Sequence, residues 1–325
     1  MAKPLCYFAV LETDRQQTPL GQESISPVSF QTLIDSFLAR RSPNTRRAYE
    51  KDLADFATYL QVADNQAALL KLVTVGQGQA NAIALGYKAA LCDSGKSPNT
   101  INRRLATLRS AVKLANTLGL VNWTISVENE RTEAYRDTTG TGIDGFRAIL
   151  RASEACRNHK KAIRDKAILR LLFDLALRRG EVASLDLADV DLETGTLKVL
   201  GKGRSQQITL TLPEATVDAL GAWIEVRGTE SGSLFVNFDR AAKGKRLTGT
   251  AIYRLVRDLG RKSGITARPH GLRHAAITEA LDLTGGDVRS VQRYSRHQNL
   301  QTLLVYDDNR QDLAGAVAKS VSARV

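Results

Sequence analysis

Between Trp123 and Gly142 the apolar periodicity that runs through most of this chain stops. The stretch "NERTEAYRDTTGTG" is polar and rich in turn formers, which predicts an interdomain linker over 123–142. No single core spans such a break, so the chain must build two. At 325 residues it is long enough for both. Residues 1–27 show little periodicity and read as a loose arm. The first core belongs to 28–122, where Phe30, Leu33, Ile34, Phe37 and Leu38 recur at helical spacing. Further helices carry Tyr49, Leu53, Phe56 and Leu60, then Ala80 to Leu91, then Ile101, Leu105, Leu108 and Val112. The second core belongs to 143–325. It opens with helices, including Ile163 to Leu175 with Ala167, Ile168, Leu171, Leu172 and Leu175 inward. One clear hairpin follows: Leu197 and Val199 alternate, "GKGRS" turns, and Ile208, Leu210 and Leu212 alternate back. "SLFVN" (233–237) is a candidate short strand, and after it the chain is helical, with Ile252, Leu255, Val256 and Leu259 on one helix and "RPHGLRHAAI" on the next. The expected fold is mainly α with a small antiparallel β-sheet in the C-terminal domain.

Two helices of the first domain open with one tetrapeptide, Ser-Pro-Asn-Thr, at 42–45 and at 97–100. Ser caps a helix start, and Pro is tolerated just inside because its missing N–H is not needed there. Arginine pairs follow, Arg46-Arg47 and Arg103-Arg104. Free helix N–H groups beside guanidinium groups suit a DNA phosphate. This makes Thr45, Arg46, Arg47, Thr100, Arg103 and Arg104 candidate DNA contacts. The plainer alternative is two capped helices with solvated faces. Charge favours a polyanion as partner: 46 Lys+Arg stand against 34 Asp+Glu, a net +12. No apolar run is long enough to span a bilayer, and the N-terminus lacks a signal-peptide pattern. Three widely spaced cysteines, Cys6, Cys92 and Cys156, suit a reducing cytoplasm and form no CxxC metal pattern.

The chain has four histidines, and "RPHGLRHAAI" (268–277) holds two of them beside two arginines. A metal site, a solvated basic helix face and a phosphate site all compete to explain it. His270 and His274 have the i, i+4 spacing of a zinc helix. However, residue 271 is Gly where that motif needs Glu, and Arg273 would set a fixed charge beside a dication. The wider pattern favours phosphate. "LALRRGEVASL" places Arg178 and Glu181 before the hairpin, the turn presents Lys202, and "YSRHQNLQTLLVY" carries His297 and then Tyr306. Tyr294 and Tyr253 are rivals to Tyr306.

In this order and spacing the chain resembles the tyrosine recombinases, the phage integrase-type site-specific recombinases. The family's G-L-R-x-[SG]-E-L-x-x-L is met by "ALRRGEVASL" (176–185), its hairpin lysine by "GKG" (201–203), and its H-x-L-R-H letter for letter by "HGLRH". Its L-G-H and Tyr elements correspond to "SRH" ending at His297 and to Tyr306. The first domain, with S-x-N-T before a tyrosine-containing helix, is similar to the family's core-binding domain. Two departures stand out: Ala176 replaces Gly, and Ser295-Arg296 replaces Leu-Gly, adding a charge near the site.

The resemblance implies a two-domain DNA clamp, a helical core-binding domain with a catalytic domain, in which Tyr306 attacks a backbone phosphate to form a 3′-phosphotyrosine. The chemistry agrees with the residue types. Arg178 and Arg273 can grip the oxygens that gain charge, each with a planar, permanently charged fork. Tyrosine, with a pKa of ~10, needs help to lose its proton, and His270 is the candidate acid/base. Lys202 is the candidate acid at the 5′ leaving oxygen, and His297 the candidate hydrogen-bond donor to the phosphate. Glu181 is expected to orient its neighbours and His274 to be structural. Neither a metal nor a cofactor is called for, since positive side chains can take the metal's role. The expected partners are double-stranded DNA bearing specific sites, and further copies of this chain in dimers and tetramers on that DNA, with the segment from Leu313 onward as the candidate subunit contact, the alternative being a tail that packs on its own domain. No membrane is expected, and the expected location is the cytoplasm, at the nucleoid. The alternatives are a type IB topoisomerase, a catalytically inactive DNA-binding protein of the same fold, and a metal-dependent nuclease.

Overall fold

The computed structural model describes residues 30–39, 41–132, 141–201, 206–301, 303–304 and 313–324. The chain divides into two compact units between Thr132 and Glu133. The first unit holds five helices: α1 (Phe30–Leu38), α2 (Pro43–Leu60), α3 (Asn65–Thr74), α4 (Gln77–Asp93) and α5 (Pro98–Thr117). Their inward residues form one cluster that includes Phe37, Leu53, Phe56, Leu69, Leu72, Tyr87, Leu105 and Leu108. The tetrapeptide repeats cap as the sequence predicts. Ser42 Oγ accepts from Thr45 N at 3.3 Å and Ser97 Oγ from Thr100 N at 3.4 Å, each with Pro in the first turn. Helix α3 goes unread in the sequence, although Asp64 caps it by accepting from Ala67 N at 2.8 Å.

The first half of the predicted linker is not a linker. Residues 123–132 lie along the first unit, with Ile125 and Val127 in its core. Asn102 brackets Glu130, its Nδ2 donating to Glu130 O at 2.9 Å and its Oδ1 accepting from Glu130 N at 2.7 Å. Asn81 Oδ1 accepts from Ser126 N at 2.8 Å, and Arg109 Nη2 donates to Val127 O at 2.6 Å. Side chains from α4 and α5 thus satisfy the backbone that a sheet or helix would otherwise satisfy. The remainder of the linker, 133–140, lies outside the described residues, as does the arm at 1–27.

The second unit is built on α7 (His159–Asp174), which packs against α6 (Gly142–Glu154), α9 (Glu214–Arg227) and α11 (Pro269–Leu283). Ala167, Ile168, Leu171 and Leu172 are fully buried, as their spacing predicts. The helix α9 goes unread in the sequence; its Trp223 is buried and donates Nε1–H to Leu234 O at 2.8 Å. A three-stranded antiparallel sheet has the order β1 (Val190–Asp191), β2 (Thr196–Leu200), β3 (Gln207–Thr211). Leu197 faces Leu210 and Val199 faces Ile208, the expected hairpin register. "SLFVN" makes no strand, only the isolated bridges Asp186–Ser233 and Val236–Arg246. Leu234 and Phe235 are both buried, so the alternation that a strand needs is absent.

Three more elements carry the site: α8 (Arg179–Ser184), α10 (Gly249–Lys262) and α12 (Val288–Ser295). A small apolar cluster of Ala176, Ile277, Leu281, Val291 and Leu303 holds α11 and α12 together beneath it. Gly260 lets the end of α10 meet the chain that enters α11. A Cβ there would lie 2.6 Å from Ala267 Cβ and 2.7 Å from Ile265 O.

Candidate active site

Helix α11 begins at Pro269 with Arg268 as its N-cap residue, so His270, Arg273 and His274 occupy its first two turns. Arg273 and His274 are buried and His270 is exposed. A buried guanidinium is costly unless its N–H groups are met. Arg273 meets them by donating to Ala176 O, and to Ser295 O at 2.5 Å; Nη2 also lies 3.4 Å from His297 Nε2. Two loops are shaped to offer those carbonyls. Ala176 (φ +45°) and Arg296 (φ +59°) both adopt the left-handed conformation that favours glycine.

Arg178 enters α8 as its N-cap residue. Its backbone N–H donates to Glu181 Oε2 at 2.9 Å, and its Nη1 donates to Glu181 Oε1 at 2.9 Å. Glu181 is buried and also faces the Arg296 guanidinium at 3.4 Å. Burial pushes the Glu181 carboxyl up, but the two Arg178 hydrogen bonds and the Arg296 and Arg178 charges outweigh it and hold it below the usual range. A cleft of about 370 Å³ is lined by Arg178, Arg179, Tyr253, Arg268, His270 and Arg273 among others. A second hollow of about 390 Å³ shares Tyr253 and Arg268 and adds Arg257 and Arg261. The positive lining therefore continues beyond the predicted residues. Arg179, Arg257 and Arg261 carry no spacing signal, so the sequence does not single them out.

His270 Nε2 and His274 Nε2 stand 2.7 Å apart. That is hydrogen-bond spacing; two ligands on one zinc, each bonded at about 2.0–2.1 Å, sit farther from each other. Among the described residues no group of three or more His, Cys, Asp or Glu stands together. Partial desolvation of the ring by the protein around it, then the charges of Arg273 and Arg178, lower the pKa of His270. The same causes, with His274 and His270 added, push His297 down to about 4. Both shifts favour the neutral ring, the form that can take up a proton. His297 Nδ1 lies 2.9 Å from Ser295 Oγ, which fixes the ring. Tyr294 is no rival nucleophile. It is half-buried, its hydroxyl donates toward Phe173 O (2.9 Å) and Asp174 O (3.2 Å), and burial and then Asp174 raise its pKa. Tyr253 does line the cleft, with Arg179 over its ring at 5.8 Å. Lys202 and Tyr306 lie outside the described residues.

In the first unit, five of the six candidate DNA contacts are at least partly exposed: Thr45, Arg46, Arg47, Thr100 and Arg103. Arg46 pairs with Glu50 at 2.9 Å, and one Arg103 nitrogen binds Asp52. Arg104 corrects the sequence reading. It is 7% exposed and pairs with Asp55, which also accepts from Tyr87 OH at 2.7 Å. Its place on the inward face beside Leu105 and Leu108 makes it a tie between α5 and α2. Arg104→Ala is expected to destabilise the protein by about 1–3 kcal/mol, the cost of stranding a partner of a buried polar group. Arg47→Ala is expected to leave the melting temperature unchanged and weaken DNA binding. Thermal melts and a DNA titration check the pair.

Family models match two segments: the phage integrase family over residues 145–312, and the phage integrase N-terminal SAM-like domain over residues 34–116. A curated tyrosine recombinase of Synechococcus elongatus is 40% identical over 300 residues, covering 90% of this chain and 93% of that protein. Among solved structures, the XerH site-specific recombinase bound to palindromic difH is 18% identical with a TM-score of 0.63, covering 89% of this chain and 84% of that one. A lambda integrase tetramer bound to a Holliday junction is 15% identical with a TM-score of 0.63, covering 88% and 79%.

Proposed function

The chain belongs to the phage integrase family of tyrosine recombinases, and from that premise we propose how its own residues cut and rejoin DNA. The observation that carries the reading is that Arg178, His270 and Arg273 line one positive cleft, with His297 Nε2 3.4 Å from Arg273 Nη2. Tyr306 is the nucleophile. Its phenolic oxygen bonds to the phosphorus of a backbone phosphodiester, its proton passes to His270, and the bond from phosphorus to the 5′ oxygen breaks. Lys202 protonates that leaving oxygen. Arg178 and Arg273 hold the two non-bridging oxygens as they gain charge, and His297 donates to the same phosphate. Glu181 holds Arg178 in place and His274 supports His270. A 5′ hydroxyl from another strand then attacks the 3′-phosphotyrosine and releases Tyr306. The energy of the broken bond is kept, so resealing needs no ATP.

Each of four strands must be cut once when two duplexes exchange, so one tyrosine per subunit requires four subunits on two sites. A lambda integrase tetramer is seen bound to a Holliday junction, which supports a dimer on one site and a tetramer on two for this chain. The C-terminal helix Leu313–Ser322, whose Val321 is exposed, is the proposed subunit contact. The side chains of Leu313, Ala316 and Val317 lie outside the described residues. Thr45, Arg46, Arg47, Thr100 and Arg103 are proposed to bind DNA phosphates, so that both units hold the duplex. No helix among the described residues is long and apolar enough to cross a membrane, and the proposed place of action is the nucleoid in the cytoplasm.

The test is to recover DNA that stays with the protein after denaturation, with EDTA present, and to sequence it. One recurrent sequence joined to the protein is expected. Adduct formation that requires a divalent metal, or no adduct at all, overturns the mechanism. Relaxation of supercoiled plasmid without a preferred site favours the topoisomerase reading instead.

A further inference from the structure

Arg296 is a buried side chain at the site whose presence neither the chemistry above nor the family pattern requires. The pattern has Gly here, and the backbone shows why: φ is +59° and ψ +34°, where glycine sits without strain. This chain holds an arginine in that conformation, 8% exposed. Its two Nη groups are engaged with the machinery, while its buried Nε has no hydrogen-bond partner. Nη1 donates to Leu175 O and to Tyr294 O, both at 3.0 Å. Nη2 donates to Ala176 O at 3.1 Å and to Glu181 Oε2 at 3.4 Å. Three of these four partners belong to the loop 175–178 and the start of α8, and the fourth to the end of α12.

Two of these partners, Glu181 and the Ala176 carbonyl, are one bond from a group the reaction uses. Glu181 carries Arg178 through two hydrogen bonds. The Ala176 carbonyl is shared with Arg273. The turn that Arg296 closes presents Ser295 O to Arg273 and His297 directly after it. Resting on the recombinase reading above, we infer that Arg296 is a positioning residue: it holds Glu181 and the Ala176 carbonyl so that Arg178, Arg273 and His297 face one phosphate together. It also supplies a second cation to a buried carboxylate that Arg178 alone would have to balance. With Arg178 shared between Glu181 and a DNA phosphate, Glu181 keeps a second partner in Arg296. The charged groups that act on that carboxylate are Arg178 from the entry to α8 and Arg296 from the turn after α12.

The variants are Arg296→Gly, which suits the left-handed turn and is expected to fold, and Arg296→Lys, which keeps the charge without the fork. Single-turnover cleavage by Arg296→Gly is expected to fall about 10- to 100-fold, the usual loss when a partner that orients a charged site group is removed, with DNA affinity unchanged. Arg296→Lys is expected to recover part of that rate. The second readout needs no turnover. With glutamate carboxyls labelled with ¹³C and Glu181 assigned by Glu181→Gln, the Glu181 carboxyl is expected to titrate at higher pH in Arg296→Gly than in wild type. Wild-type cleavage rate together with an unmoved Glu181 titration overturns the inference. So does an equal loss of binding and cleavage with a lowered melting temperature, which marks a merely structural role. Failure of the wild type to form a DNA adduct strikes the recombinase reading, and the Glu181 titration then judges Arg296 by itself.

Discussion

Replacing Tyr306 by Phe is expected to abolish the covalent DNA adduct while DNA binding persists. The change removes one oxygen and leaves the ring, so packing and charge at the site stay as they were. Binding rests on many phosphate contacts spread over a chain of net +12, and one neutral hydroxyl adds little to that sum. The bond to phosphorus has no other source at this position. Tyr294 is held against the carbonyls of Phe173 and Asp174 with its pKa raised. Tyr253 is the stringent control, since it lines the same cleft as His270 and Arg273. Tyr253→Phe is expected to keep adduct formation. Denaturing gels of labelled DNA measure both variants. An adduct of normal yield from Tyr306→Phe, or its loss from Tyr253→Phe alone, moves the nucleophile elsewhere.

The sequence makes the chemistry of this site more legible than its support. His270, Arg273 and His274 announce themselves because one helix carries them at i, i+3 and i+4, a spacing that survives any tertiary arrangement. Leu197 against Leu210 is equally plain, since strand alternation is local. What stays hidden depends on contacts between distant segments. Arg104 looks like Arg103 in the sequence, yet one helical step turns it inward to Asp55, 49 residues away. The 123–132 segment looks like a linker because its own residues are polar, but Asn81 and Asn102 pair with its backbone. Arg296 reads as a stray charge. Only the fold brings it to Glu181, 115 residues earlier. The short β1 and the buried pair Leu234-Phe235 give no periodic signal at all.

Arg178→Ala and Arg273→Ala are both expected to lower cleavage about 10²- to 10³-fold, the loss when one donor to a developing oxyanion is removed. The structure predicts that they differ in everything else. Arg178 has a side chain 32% exposed, and its one described side-chain partner is Glu181. Its removal leaves that carboxylate with the Arg178 backbone N–H, which alanine retains, and with Arg296. The melting temperature should change little, and DNA affinity should fall by no more than one phosphate contact accounts for. Arg273 is 1% exposed and donates to two carbonyls from two different loops. Its removal strands Ser295 O, at about 1–3 kcal/mol for a buried unsatisfied group, leaves Ala176 O with Arg296, and frees the turn that carries His297. Arg273→Ala should therefore lose stability as well as rate, and its rate loss should exceed that of Arg178→Ala. Single-turnover cleavage at saturating protein, with thermal melts on the same samples, separates the two effects. Cleavage and binding falling by equal factors in Arg178→Ala would make that arginine a binder of ground-state DNA. The geometry argues otherwise: a guanidinium held by its own helix and a buried carboxylate is fixed before the phosphate arrives, and a donor fixed in advance acts most strongly where charge develops.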